Sequence, residues 1–120
     1  TPLYSSAASD VYKRQGLARY EQGQADLALR HWTAAVALAP KATEPNLAIA
    51  AAIYTQSGCQ ADRPVQIGDR CAESLQRARA ALAEDDRYAN VQFLRDNLWG
   101  GRLVTAVERL FLGLSAQRDR

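Results

Sequence analysis

Apolar residues recur along much of this chain at the three- and four-residue intervals of an α-helix. Leu29, Trp32 and Val36 keep this spacing in one segment, and residues 102–116 repeat it. Side chains at these intervals share one face of a helix, where they can pack together. Glycine, proline or a charged run interrupts the pattern between segments. The pattern predicts six helices, at about residues 16–22, 25–39, 43–57, 69–84, 86–98 and 102–116.

A spacing of small, bulky and small residues occurs three times, in units of about 16–40, 44–83 and 86–116. Small residues let helix backbones approach closely, and the bulky residue fills the space between them. Because one helix pair cannot bury its apolar face alone, we expect the pairs to stack on each other. The residues that carry the repeat are Gly16, Gly23, Ala28, Trp32, Ala35 and Pro40 in the first unit, Tyr54, Gly58, Cys71, Leu75, Ala78 and Ala83 in the second, and Gly101, Ala106, Leu110 and Gly113 in the third.

This spacing resembles that of the tetratricopeptide repeat (TPR) family, most closely over residues 16–40. Gly23 and Gly58 are 35 residues apart, close to the family period of about 34. The match is weaker over residues 86–113, where Asn97 replaces the usual tyrosine. The resemblance implies an all-α fold of three antiparallel helix pairs, stacked as a short TPR-like α-solenoid. An insertion loop would interrupt the second pair.

The same resemblance implies a protein–protein interaction scaffold, because the first helix of each TPR pair lines a concave groove that commonly receives a peptide. We expect neither enzymatic activity nor a cofactor. Aromatic and aliphatic groove residues favour an apolar or helical segment, which can equally belong to the same polypeptide. The alternative is a scaffold fragment of a larger exported enzyme or assembly factor. The groove residues implied are Tyr20, Glu21, Ala52, Thr55, Gln56, Tyr88, Val91, Arg95 and Trp99.

The two cysteines, Cys59 and Cys71, flank the insertion, which is about eight residues longer than the corresponding turns. A disulfide closing a loop of this length stabilises by about 3 kcal/mol in the chain-entropy model. It would also indicate an oxidising compartment, hence an exported or periplasmic protein, with a cytoplasmic location as the alternative. Cys71 alone also suits a small core position. A zinc site is disfavoured, because it needs about four ligands and His31 is the single histidine.

The first fifteen residues differ in origin from the rest, by our interpretation. Residues 5–15 read SSAASDVYKRQ and resemble a translated sequencing-library adapter over eleven consecutive positions. Such segments are excluded from fold reasoning. We therefore expect the native domain to span residues 16–116, truncated upstream, with a frayed tail at 117–120.

Charge and hydropathy exclude two classes of partner. Without residues 1–15 the chain keeps 13 of its 15 basic and 12 of its 13 acidic residues, a net charge of +1. This balance gives no electrostatic footprint for nucleic acid or for an anionic membrane. No apolar run approaches the roughly 20 residues of a membrane span. The partner expected is therefore a protein or peptide.

Overall fold

The computed structural model describes the backbone of residues 2–118 and the side chains of residues 7–118. Within that range every regular element is helical, which confirms the all-α prediction. Residues 119–120 of the predicted tail lie outside the described residues, as does Thr1. The elements are α1 (Pro2–Glu21), α2 (Ala25–Leu38), α3 (Thr43–Gln56), α4 (Arg70–Glu84), a 3-10 turn (Asp86–Ala89), α5 (Val91–Asp96) and α6 (Gly101–Arg118).

Helices α1 and α2 form an antiparallel pair around a tight turn. Gly23 ends α1 with a φ of +81°, a left-handed conformation that glycine adopts without steric cost. Helix α1 extends back through the segment that resembles an adapter, where the Ser9 hydroxyl donates to the carbonyl oxygen of Ala35 at 3.2 Å. That segment therefore contacts α2 through the buried side chain of Ser9.

Helix α3 is the central element of the fold. Residues from Leu47 to Ala52 are all buried, and Tyr54 beyond them is also buried. Neighbouring helices cover α3 on several sides, with α2, α4 and α6 in contact with it. A helix that is apolar around its whole circumference is stable only when it is surrounded in this way.

The expectation of one continuous helix over residues 86–98 was wrong. The segment divides into the 3-10 turn and the six-residue α5, because Asn90 begins a new helix: its side chain accepts hydrogen bonds from the backbone N–H groups of Gln92 and Phe93. Leu98, with a φ of 71°, then ends the segment. Because α5 is so short, α6 packs mainly on α3 and also contacts α1 and α4.

The small residues of the predicted repeat lie where helices approach each other. A β-carbon on Gly16 would overlap the indole ring of Trp32, and one on Gly113 would overlap the phenol of Tyr54. The exposed members Gly23, Pro40 and Gly58 lie at turns, and the exposed Ala83 and Gly101 lie at helix ends. The repeat residues buried in the core are Ala28, Trp32, Ala35, Tyr54, Leu75, Ala78, Ala106 and Leu110.

Candidate partner-binding groove

The nine residues assigned to the groove lie on three stretches that the fold brings towards α6. Ala52 and Trp99 are buried, with 2% and 4% of their surface exposed. Gln56 and Arg95 are exposed, and the other five are half-buried. Two of the nine side chains are therefore covered by this chain itself and are not accessible to a partner.

Glu21 shows directly how α6 is held against α1. Its two carboxylate oxygens accept hydrogen bonds from the backbone N–H groups of Arg102 and Leu103, at 3.0 and 3.1 Å. A carboxylate at this position satisfies unpaired N–H groups and complements the positive end of the helix dipole. Gly100 makes this approach possible, because a β-carbon there would overlap the Glu21 carboxyl group.

Trp99 belongs to a buried polar cluster at the start of α3. Its Nε1 donates to Glu44 Oε1 at 2.8 Å, and Lys13 Nζ lies 2.9 Å from the second oxygen, Oε2. Burial raises the pKa of the nearby Tyr88, and the negative charge of Glu44 raises it further. The cluster thus holds together α1, α3 and the segment before α6.

An open cleft of about 440 Å³ remains at the other end of the predicted groove. Two of the predicted residues, Tyr20 and Thr55, line it. The Tyr20 ring packs against Trp32 with ring centroids 5.7 Å apart, and burial raises the pKa of its hydroxyl. The Thr55 hydroxyl oxygen is buried and makes no hydrogen bond to any residue that the structure describes. The other lining residues are Gly23, Ala25, Gly101, Arg102 and Thr105.

Sequence reasoning missed Arg102 and Thr105 as cleft residues. It assigned α6 to the second position of a helix pair, outside the groove, whereas α6 contacts α3 directly. The sequence pattern that could have identified them lies at the start of α6. There the polar residues Arg102 and Thr105 are three residues apart and share one exposed face of the helix. This cleft, here called the Tyr20–Thr55 cleft, offers hydroxyl groups, one guanidinium and an aromatic ring to a ligand.

The cysteines lie at disulfide-bonding distance, with the Cα atoms of Cys59 and Cys71 5.7 Å apart. The loop they enclose is further ordered by Asp69. One oxygen of its carboxylate accepts from the N–H of Ala72 at 2.6 Å, and the other accepts from that of Gln66 at 3.0 Å. These hydrogen bonds lower the pKa of Asp69. The loop is therefore fixed at both ends.

Neither a metal-type cluster of side chains nor a membrane-spanning helix occurs in the described part of the chain. Among residues 7–118 no three histidine, cysteine or acidic side chains converge as a metal site would require. No described helix has the length and apolarity needed to cross a membrane. His31, the single histidine, stacks on Tyr12 with ring centroids 6.4 Å apart. No protein-family model, curated protein or solved structure matches this chain at a significant level.

Proposed function

We propose that this chain is a TPR-like interaction scaffold that holds a peptide or helical segment of a partner protein. The observation that supports this most directly is the Tyr20–Thr55 cleft, which is open to solvent and contains residues of the predicted groove. The Thr55 hydroxyl has no partner among the described residues, which favours a polar ligand group at this point. A ligand that forms a hydrogen bond with a buried hydroxyl is stabilised, because leaving that hydroxyl unsatisfied is unfavourable.

The burial of Ala52 and Trp99 limits how much of the groove a partner can use. Because α6 covers the middle of the groove, we infer that the partner segment enters only at the end marked by Tyr20. One aromatic face and several donors around a concave opening are typical of sites that fix the orientation of a short segment. An interaction role therefore fits this cleft better than catalysis.

Peptide selection followed by cleft blocking tests the proposal. Random peptides displayed on phage would be selected on the protein, and one enriched peptide measured in solution. Thr105→Trp fills the cleft, and we expect it to weaken binding at least about tenfold. The matched control is Thr33→Trp on the exposed side of α2, which should change affinity less than about twofold. Equal binding by the two variants, or no enriched peptide, would contradict the proposal.

We further propose that the protein works in an oxidising compartment and that the native part of this chain starts at Gly16. The bonding distance of Cys59 and Cys71 supports the first inference, since such pairs persist mainly in exported proteins. The adapter-like sequence of residues 5–15 supports the second. A chain beginning at Gly16 lacks the Lys13 partner of Glu44 and should be less stable, but its folded fraction, measured by circular dichroism, should bind the selected peptide as tightly as the full chain. Loss of binding would show that residues 1–15 belong to the functional unit.

A further inference from the structure

A second cleft, of about 410 Å³, lies between α3 and α4 and shares no lining residue with the Tyr20–Thr55 cleft. Its apolar floor is formed in part by Ala50 and Ile53 of α3. Side chains of α4, all but one of them charged or polar, form the rest of the lining. The lining residues from α4 are Arg70, Glu73, Ser74, Gln76, Arg77 and Ala80.

Ser74 is the unusual member of this lining. It is 97% buried, since only 3% of its surface is exposed, and its hydroxyl oxygen makes no hydrogen bond with the described residues. The floor residues Ala50 and Ile53 carry no polar side-chain atom that could pair with it. A buried hydroxyl without a partner is unfavourable, so a ligand that supplies one is stabilised at this point.

Two guanidinium groups stand on either side of Ser74 along the helix. Arg70 and Arg77 are seven residues apart, which corresponds to about 10 Å along an α-helix. Arg77 is positioned by Asn46, whose side-chain oxygen accepts from Nη1 at 2.7 Å. Among the described residues Arg70 has no acidic partner within ion-pair distance. Glu73 lies between the two arginines and disfavours an anion placed directly beside it.

We propose that this second cleft binds an extended, internal peptide segment carrying two acidic side chains three residues apart. In the extended polyproline II conformation, side chains three residues apart share one face and are about 9 Å apart, which is close to the separation of Arg70 and Arg77 along α4. One carboxylate pairs with each guanidinium, and the peptide backbone between them pairs with the Ser74 hydroxyl. Charge-assisted bonds of this kind are the stronger ones in peptide recognition. The proposal is independent of the Tyr20–Thr55 cleft.

The test uses a hexapeptide with both ends blocked, containing two glutamates three residues apart and alanine elsewhere. Titration into the labelled full chain, followed by amide chemical shifts, should move the signals of Ser74 and Ala50. We expect a matched peptide with glutamine at both positions to bind at least about fivefold more weakly. A peptide with adjacent glutamates should also bind more weakly, because its carboxylates cannot reach both arginines.

Three variants within the cleft and two control variants locate the site. Arg70→Gln and Ser74→Ala should each weaken binding about threefold to fivefold, and Glu73→Gln should strengthen it. Arg109→Gln, an exposed arginine on α6, is the matched control and should change nothing, as should Thr105→Trp in the other cleft. Circular dichroism confirms that each variant is folded. The proposal would be overturned if the glutamate and glutamine hexapeptides bound equally well. It would also be overturned if Arg70→Gln or Ser74→Ala left the affinity unchanged, or if the amide shift changes mapped to another part of the protein.

Discussion

The indole N–H of Trp99 donates a hydrogen bond to the carboxylate of Glu44 across 55 residues of sequence, at 2.8 Å. Both residues are at least 95% buried, with 4% and 5% of their surfaces exposed. Lys13 brings a positive charge within 2.9 Å of the other carboxylate oxygen. A buried carboxylate requires such partners, because isolated burial of a charge is strongly unfavourable. The contact fixes the chain just before α6 relative to the start of α3.

The first prediction concerns this hydrogen bond. Trp99→Phe keeps an aromatic ring but removes the donor, which leaves the buried Glu44 oxygen with one partner fewer. We expect the free energy of unfolding in urea to fall by about 1–3 kcal/mol. Trp99→Phe combined with Glu44→Gln should cost less than the sum of the two single changes, because the two side chains interact. Additive losses would mean that they stabilise the fold separately.

The second prediction concerns the approach of α1 to α2. Gly16→Ala places a β-carbon against the Trp32 ring and should destabilise by about 1–3 kcal/mol, as overpacking does. Trp32 is fully buried, so Trp32→Ala should cost about 3–5 kcal/mol.

The two substitutions should also be strongly coupled. In the Trp32→Ala background, Gly16→Ala meets no ring and should become neutral or stabilising, because alanine favours the helix by roughly 0.5–1 kcal/mol over glycine. Urea unfolding of all four proteins measures the coupling. If Gly16→Ala cost the same in both backgrounds, the close contact would not determine its effect.

The helical architecture was largely predictable because it depends on local periodicity. The limits of α2, α3 and α4 lie within about two residues of those predicted, since Gly23, Pro40 and Gly58 mark the turns between them. The interruption of the predicted fifth helix at Asn90 was missed. The apolar pattern of this segment fits one continuous helix, whereas the side chain of Asn90 caps the backbone N–H groups of a new one. The two clefts were not predictable: both depend on how α6 or α4 packs against α3, which local spacing does not specify.

The third prediction concerns the cysteines. Reduction of a Cys59–Cys71 disulfide, or the paired change Cys59→Ser and Cys71→Ser, should lower the free energy of unfolding by about 3 kcal/mol in the chain-entropy model. Reductant should destabilise the parent protein and have no effect on the double variant, which is the matched control. Mass spectrometry counts the free thiols before and after reduction. Two free thiols in protein folded under oxidising conditions would contradict the bond.

The last prediction is a loss of stability at alkaline pH. Burial lowers the pKa of Lys13, but hydrogen bonds and charge interactions with Glu44 and Asp10 outweigh that effect, so its pKa is raised overall. Burial also raises the pKa of Tyr20. In both cases the folded state holds the proton more tightly than the unfolded state. Their stabilising contributions are therefore complete below the unfolded pKa values, which are about 10 for tyrosine and about 10.4 for lysine.

These contributions are lost as the pH rises from about 10 through the raised pKa values of the folded protein. Urea unfolding between about pH 8 and 11 should show a declining free energy of unfolding above about pH 10. Tyr20→Phe removes one titrating group, and Lys13→Gln removes the other. Each variant should therefore show a shallower fall in the free energy of unfolding above about pH 10. At neutral pH each should be as stable as the parent protein or less stable. A decline of the same slope in both variants would assign the pH dependence to other groups in the chain.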